Sequence, residues 1–381
     1  MKKHLVLVGG GHAHLTVMQR LDDFVSRGHR VTLVSSAPCH YFACMGPGLL
    51  GGIYLPAQSR FNLRRMVEDR GGAFLEGEVA HIDAGQRRLT LRDGRQLGYT
   101  VVSFNTGSNV PLKGIGAARD NVLPVKPIQN LLLAQRQILA CRSRRPLQVL
   151  VIGGGPAAVE VAGNLCCLAA RIHGRLAVGL VAGDRLLARF SDKARRLCRA
   201  SLERRGVRIR EGVRVVAAAQ GRARLDDGSE LPFDLALCAT GVRPSGPFCA
   251  SPLPVGKDGG LLVNACLQSV HYPEIFGGGD CITFRDHPLD KACVHAIRQS
   301  PVLYRNLMAY LEDQPLLRFS PRDKHLLLLN LGDGRGLLGR GRFALQGRGV
   351  FYLKDWIDRC FMHHFQVSGE LRDSEPAAPD A

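Results

Sequence analysis

A glycine-rich turn set between an apolar run and a helix-forming stretch occurs twice in this chain, and that repetition constrains the fold more than any other feature. The first copy reads His4-Leu5-Val6-Leu7-Val8-Gly9-Gly10-Gly11-His12-Ala13-His14. The second reads Leu147-Gln148-Val149-Leu150-Val151-Ile152-Gly153-Gly154-Gly155-Pro156-Ala157-Ala158. The glycines permit a tight turn and close backbone approach. The helix that follows offers unpaired N–H groups and the positive end of its dipole. This is how a dinucleotide pyrophosphate is held. Two such units predict two bound dinucleotides, and two dinucleotides predict hydride transfer between them.

Other elements repeat with them. A strand over 100–104 runs into Asn105-Thr106-Gly107-Ser108, and a strand at Leu235-Ala236-Leu237-Cys238-Ala239 runs into Thr240-Gly241. Hairpin strands precede each. The pattern of Gly-rich turn, hairpin strands and Thr-Gly-terminated strand is an approximate internal repeat. A third glycine cluster, Ile275-Phe276-Gly277-Gly278-Gly279-Asp280-Cys281, reads as a strand end carrying a carboxylate. The first unit predicts a helix over 13–27 stopped by Gly28. A later helix spans 291–311, where Ser300-Pro301 either kinks it or caps a new one. Residues 323–345 read as strands with glycine turns, 349–365 as an amphipathic helix, and 371–381 as a disordered tail.

At 381 residues the chain has room for two domain cores. No apolar run is long enough to span a bilayer. Met1-Lys2-Lys3 and the following apolar residues break at once into glycines, so they read as a first strand and not as an export signal. The twelve cysteines are then expected as thiols in a reducing cytoplasm. Lys and Arg exceed Asp and Glu by 51 − 33 = 18, which favours anionic partners such as dinucleotides or an anionic membrane surface. The arginines are scattered and no aromatic stacking platform accompanies them, so nucleic acid is not an expected partner. No cysteine or histidine spacing suggests a metal site.

These motifs, in this order, resemble the two-dinucleotide-binding-domain flavoprotein superfamily of pyridine nucleotide-disulfide reductases, type II NADH dehydrogenases and sulfide:quinone oxidoreductases. Gly9–Leu15, Lys291-Ala292 with Val294 and Arg298-Gln299, and Lys354-Asp355-Trp356-Ile357-Asp358-Arg359 look most like the NADH-dehydrogenase-like domain found fused ahead of selenophosphate synthetase, here expected as a free-standing version. The resemblance implies an α/β fold of two Rossmann-like three-layer domains, the second inserted in the first, plus a C-terminal extension. The implied boundaries are 1–112 and 253–320 for the FAD domain, 113–252 for the NAD(P) domain, 321–370 for the extension and 371–381 for the tail. It implies FAD held by Gly9, Gly11, His12, His14, Ser35, Thr106, Gly107, Gly279 and Asp280. NADH or NADPH is implied at Gly153, Gly155, Pro156 and Gly241, with Glu160 near the carboxamide. Electrons then pass from NAD(P)H through FAD to a quinone-like acceptor.

Several positions depart from the superfamily pattern. His14 fills the third glycine slot and must turn aside, most simply as a packed, satisfied histidine. Ser35 and Ser36 stand where the FAD unit carries an acid. Ala182 stands where an NAD-selective acid is expected, with Asp184 displaced and Arg185 placed to pair with a 2′-phosphate, which leaves NADH against NADPH open. Of the glutamines beside the quinone only Gln299 remains, with Val294 and Arg298 in place of the others. Cys39 and Cys44 have the CxxxxC spacing of disulfide reductases but lack their flanking glycines and lysine. A disulfide, persulfide or selenium acceptor through Cys39 and Cys44 is one alternative, and a low-turnover flavin-binding accessory protein is another. Leu353, Trp356, Ile357, Cys360, Phe361 and Phe365 share one helical face, with Lys354, Asp355, Asp358 and Arg359 off it. That face predicts peripheral attachment to the inner face of the plasma membrane, against packing on the FAD domain or on a second subunit in a homodimer.

Overall fold

Each glycine turn leaves the central strand of a five-stranded parallel sheet. The computed structural model describes residues 2–112, 115, 121–143, 145–321 and 326–372. The first sheet runs in the order Ile275–Gly277, Val101–Phe104, His4–Val8, Arg30–Ser35 and Ala73–Glu76. The second runs Val122–Pro124, Leu235–Cys238, Leu147–Ile152, Leu176–Ala182 and Arg208–Glu211. All these pairings are parallel. Each unit also carries an antiparallel three-stranded sheet, at 79–98 in the first and 215–232 in the second. The internal repeat of the sequence is therefore a repeat of topology. The central strands lack polar–apolar alternation because a parallel sheet is covered on both faces, and His4–Val8 is buried at all five positions.

Two cores follow. One gathers Leu5, Leu7, Phe24, Phe104 and Phe276, and the other Val149, Val151, Leu165, Leu180 and Leu237. The C-terminal segment belongs to both. It forms a three-stranded sheet (Leu327–Asn330, Gly336–Arg340, Phe343–Gly347) and then the helix Arg348–Phe365. Leu329, Leu331, Leu337 and Ala344 join the second core, while Met362 and Phe365 join the first.

Two helices differ from expectation. The stretch after the first turn is not one helix. It opens as a 3-10 turn at His12–His14, and Arg20, at φ −110° and ψ 32°, separates Leu15–Gln19 from Leu21–Ser26. Conversely, Cys293–Leu311 runs unbroken through Pro301. Ser300 there donates its hydroxyl to Thr16 Oγ1 at 2.8 Å, so the segment is tied to the first unit and starts no new helix. Residues 373–381 of the expected tail lie outside the described residues.

Candidate active site

The first glycine turn opens into a cleft of about 350 Å³. Asn105, at the end of the neighbouring strand, organises its floor. Its side-chain oxygen accepts from Ala13 N–H at 2.9 Å, and its amide donates to the Gly278 carbonyl at 2.6 Å. A Cβ on Gly9 would stand 2.5 Å from the Asn105 carbonyl oxygen, and one on Gly11 2.4 Å from Asn105 Oδ1. A Cβ on Gly279 would stand 2.4 Å from Asn105 Nδ2, and Gly9 and Gly279 also hold φ of +86° and +74°. Asn105 thus explains why two separate glycine motifs meet without side chains. Sequence reasoning passed over it, although it directly precedes the Thr106-Gly107 signal.

Asp280 reaches the cleft with its carboxylate engaged. Ser108 Oγ donates to it at 2.7 Å and Lys126 Nζ at 2.8 Å. Burial alone would raise this carboxyl, but Lys126 and then the hydrogen bonds hold it below the usual range. Lys126 was not singled out in the sequence. It belongs to the segment that leads into the second unit, and no local motif marks it. Gly9, Gly11, His12, Ser35, Thr106, Gly107 and Asp280 all line the cleft. His14 does not. Its Nδ1 contacts the Gly9 carbonyl at 2.6 Å and its Nε2 contacts Ser103 Oγ at 2.8 Å, with no exposed surface. Both ring nitrogens are satisfied beneath the turn, which removes His14 from the set implied to touch a cofactor. Burial lowers its pKa to about 4.

Two other histidines behave differently. The rings of His12 and His40 meet edge to face at 5.1 Å, and both line the cleft. Nε2 of each is buried without a hydrogen-bond partner. An unpaired buried polar atom costs about 1–3 kcal/mol, so two of them facing one cleft fit a polar ligand that completes them. Burial and, for His12, the neighbouring His40 keep both rings neutral, with His40 lowered to about 4. The glycine cradle, the orphan ring nitrogens and the anchored carboxylate fit FAD.

The second turn divides its glycines between packing and access. A Cβ on Gly153 would lie 2.4 Å from the Ala239 carbonyl oxygen. Gly155 and Gly241 have nothing within 4 Å of that position and face open space. Pro156 occupies the first position of the helix Pro156–Arg171, where a missing N–H costs nothing.

Glu160 lies on that helix and points to the C-terminal segment. Its Oε1 accepts the Asn330 N–H at 2.7 Å. Burial pushes its carboxyl up to about 7, against the opposing pull of Lys354 and of the Asn330 N–H. Lys354 is itself buried and donates to Asp358 Oδ2 at 2.6 Å and to the Cys44 carbonyl at 2.9 Å. Burial would lower the Lys354 ammonium, but Glu160 and Asp358 raise it above its ordinary value. The folded state holds the Glu160 proton more tightly than the unfolded chain, whose value is near 4.5. The stability this contributes is complete below about pH 4.5 and is lost as pH rises through 7. Glu160→Gln should therefore flatten the decline between those values by about 2–3 kcal/mol. Urea unfolding of the FAD-saturated protein at a series of pH values measures it.

Cys39 lines the cleft from the strand Cys39–Tyr41, whereas Cys44 sits on the 3-10 turn Ala43–Met45 and does not line it. Cys293, the first residue of the helix Cys293–Leu311, also lines the cleft, and the neighbouring Cys44 and then burial raise its thiol well above its ordinary value. Among the described residues no group of three or more His, Cys, Asp or Glu could hold a metal ion.

The C-terminal helix is turned from its expected orientation. Phe361 and Phe365 point inward, and Phe361 stacks on Phe42 at 4.6 Å. Lys354 and Asp358, placed off the apolar face by the sequence, are buried beneath the helix, each 5% exposed. Tyr352, Leu353, Trp356, Ile357 and Cys360 face outward, and Trp356 is 64% exposed. Charge patterning failed here because a buried ion pair at i and i+4 reads as a solvated face until tertiary partners are known.

Residues 3–301 match the pyridine nucleotide-disulphide oxidoreductase family, and the chain belongs to it. Among curated relatives, ferroptosis suppressor protein 1 of Xenopus tropicalis is 26% identical over 384 residues, covering 92% of this chain and 94% of its own. A type II NADH:quinone oxidoreductase of Staphylococcus saprophyticus is 23% identical over 384 residues, covering 94% of each. Among solved structures, NDH2 of Plasmodium falciparum in complex with NADH superposes with a TM-score of 0.80 at 14% identity, covering 97% of this chain and 98% of that one. The last is a likeness of fold.

Proposed function

We propose that the chain is an FAD-dependent NAD(P)H:quinone oxidoreductase working at a membrane surface. One observation carries the acceptor assignment. The C-terminal helix presents Leu353, Trp356 and Ile357 outward, while its inner face joins Lys354 to Asp358, to the Cys44 carbonyl and to the field of Glu160. A lipophilic acceptor needs an apolar route to the cleft, and quinone reduction consumes protons. A carboxyl that titrates near neutrality beside a buried ammonium holds such a proton. A bound FAD supplies two-electron transfer between nicotinamide and acceptor, and the protein supplies binding, orientation and charge. The kinship with a type II NADH:quinone oxidoreductase supports this reading. Among the described residues no helix is long and apolar enough to cross a membrane, so attachment through the outward face is peripheral.

Replacing Trp356 and Ile357 together by Asp removes about 3–6 kcal/mol of available apolar burial. The double variant should lose at least about thirtyfold in partition to anionic vesicles. It should fall in activity with long-tailed quinones and keep activity with soluble dyes. Wild-type binding should weaken with salt. Substitution is the right probe here. Deleting the helix would also strip Lys354, Met362 and Phe365 out of the interior. Equal vesicle binding by the variant refutes the membrane role, and a dimer lost in the variant assigns the face to a second copy.

The nicotinamide nucleotide is NADPH in preference to NADH. The strand Leu176–Ala182 ends without the acid that would bind a ribose 2′-hydroxyl. Glu211, on the adjacent strand, is occupied by the Leu186 N–H and by Arg199. Arg214 lies against Gly183, where a Cβ would stand 2.8 Å from its Cγ, and Arg185 is exposed beside it. Among the described residues neither guanidinium is ion-paired. Charge-assisted bonds to a 2′-phosphate are worth about 1.5–3 kcal/mol each. Arg185→Ala with Arg214→Ala should therefore raise the Kd for NADP⁺ by at least about tenfold and leave that for NAD⁺ unchanged, measured by calorimetry.

A further inference from the structure

We infer that the second unit carries a binding site for a small carboxylic acid with a compact apolar body, on the face of its parallel sheet that looks toward the three-stranded sheet at 215–232. A cavity of about 180 Å³ opens there. It shares no lining residue with the flavin cleft, and Gly153, Gly155 and Gly241 are not among its walls. The site therefore stands apart from both nucleotide sites and does not rest on the function proposed above.

Sheet register makes the cavity. Gln148 and Leu150 share this face with Ala177, Gly179 and Val181 on the next strand, and with Arg208 and Arg210 on the edge strand. Gly179 holds the middle of the face. Its strand pairs without irregularity on both sides and its φ is not left-handed, so its backbone does not require glycine. A glycine inside a strand often marks the close approach of another group. A Cβ on Gly179 would meet one atom within 4 Å, Leu150 Cδ1 at 3.3 Å, and otherwise open space. Arg208 crosses part of that space. Its Nη2 donates to Gln148 Oε1 at 2.8 Å, over the strand that lies between them. Arg210 Nη1 donates to Ser229 Oγ at 3.1 Å. Leu231 and Pro232, on the strand Glu230–Pro232, supply the wall contributed by the neighbouring sheet.

Charge and shape together select the ligand. A guanidinium carries five N–H donors, and Arg208 and Arg210 each use one in the bonds above. Among the described residues neither is ion-paired. Both forks can therefore take a carboxylate in the planar, two-bond manner that guanidinium favours. The floor beside them is apolar, with Leu150 and Val181 buried. A cavity of about 150 Å³ already admits a benzene ring, and this one is larger. Inorganic phosphate would match the arginines and leave the floor uncovered. A neutral ring would cover the floor and leave the arginines unmatched. An acid the size of benzoate does both.

The test is calorimetry of benzoate against the FAD-saturated full chain. Benzoate should bind with a Kd below about 1 mM and leave the flavin spectrum unchanged. Benzamide, its neutral isostere, and inorganic phosphate should each bind at least about tenfold more weakly. Arg208→Ala and Arg210→Ala should each weaken benzoate by at least about tenfold. Both side chains are exposed, so these variants should keep the wild-type Tm. Gly179→Val should abolish binding by filling the cavity, and its thermal melt distinguishes a filled cavity from a damaged sheet. Saturating NADP⁺ should leave the benzoate affinity unchanged. Failure of benzoate to bind at about 10 mM overturns the proposal, as does equal binding of benzamide or undiminished affinity in the two arginine variants. Competition by NADP⁺ also overturns it, because it would place benzoate at Arg185 and Arg214 instead.

Discussion

Asp280→Ala purifies with little or no FAD, and added FAD binds it about a hundredfold more weakly than the wild type. The carboxylate is fixed by Ser108 and Lys126 and faces the cleft. Its loss costs twice. The ligand loses a charged acceptor, worth about 1.5–3 kcal/mol, and Lys126 is left in the cleft without its counter-ion. Asp280→Asn should recover part of the affinity, because the amide oxygen still accepts a hydrogen bond. Equilibrium dialysis with FAD, read by flavin absorbance, measures all three proteins. Wild-type affinity in the Ala variant would show that the carboxylate serves only the protein's own packing.

Gly155→Val should separate the two nucleotides. The position has φ −83° and ψ −179°, an extended conformation any residue adopts, and an added Cβ meets nothing within 4 Å. The variant should fold, keep its FAD and retain its Tm. Its side chain would fill the space over the helix start where a second pyrophosphate must lie. NAD(P)H binding should fall by at least about a hundredfold, roughly 3 kcal/mol. Gly153→Val makes the informative contrast. With φ +138° and the Ala239 carbonyl oxygen 2.4 Å from the new Cβ, it should destabilise the second unit as a whole. Thermal melts and nucleotide titrations on the pair distinguish a blocked site from a broken fold.

Those contrasts show what local sequence carried and what it did not. The glycine turns, their apolar strands and the Gly279-Asp280 end were legible because each is a contiguous pattern with one backbone solution. The reasons for the glycines were not. Gly9, Gly11 and Gly279 are small because Asn105 fills the space between them, a relation among three distant segments. Lys126 and the Glu160–Lys354–Asp358 cluster are of the same kind. Each joins residues whose neighbours in sequence say nothing of the partner. For the C-terminal helix, local pattern was incomplete. Charge pattern puts Lys354 and Asp358 off the apolar face, and both are buried. Sequence reports which side chains are affordable along one element, whereas the site is assembled from the ends of many.

We propose that this chain carries electrons from a nicotinamide nucleotide to a quinone through FAD held in the cleft whose floor Asn105 organises. Anaerobic stopped-flow spectroscopy of the yellow full-length protein tests it most directly. NADPH should bleach the flavin in a rapid phase, and a quinone mixed in next should restore the oxidised spectrum with one quinone reduced per flavin. A flavin that neither NADPH nor NADH bleaches, or a bleached flavin that quinone leaves unchanged, would contradict it.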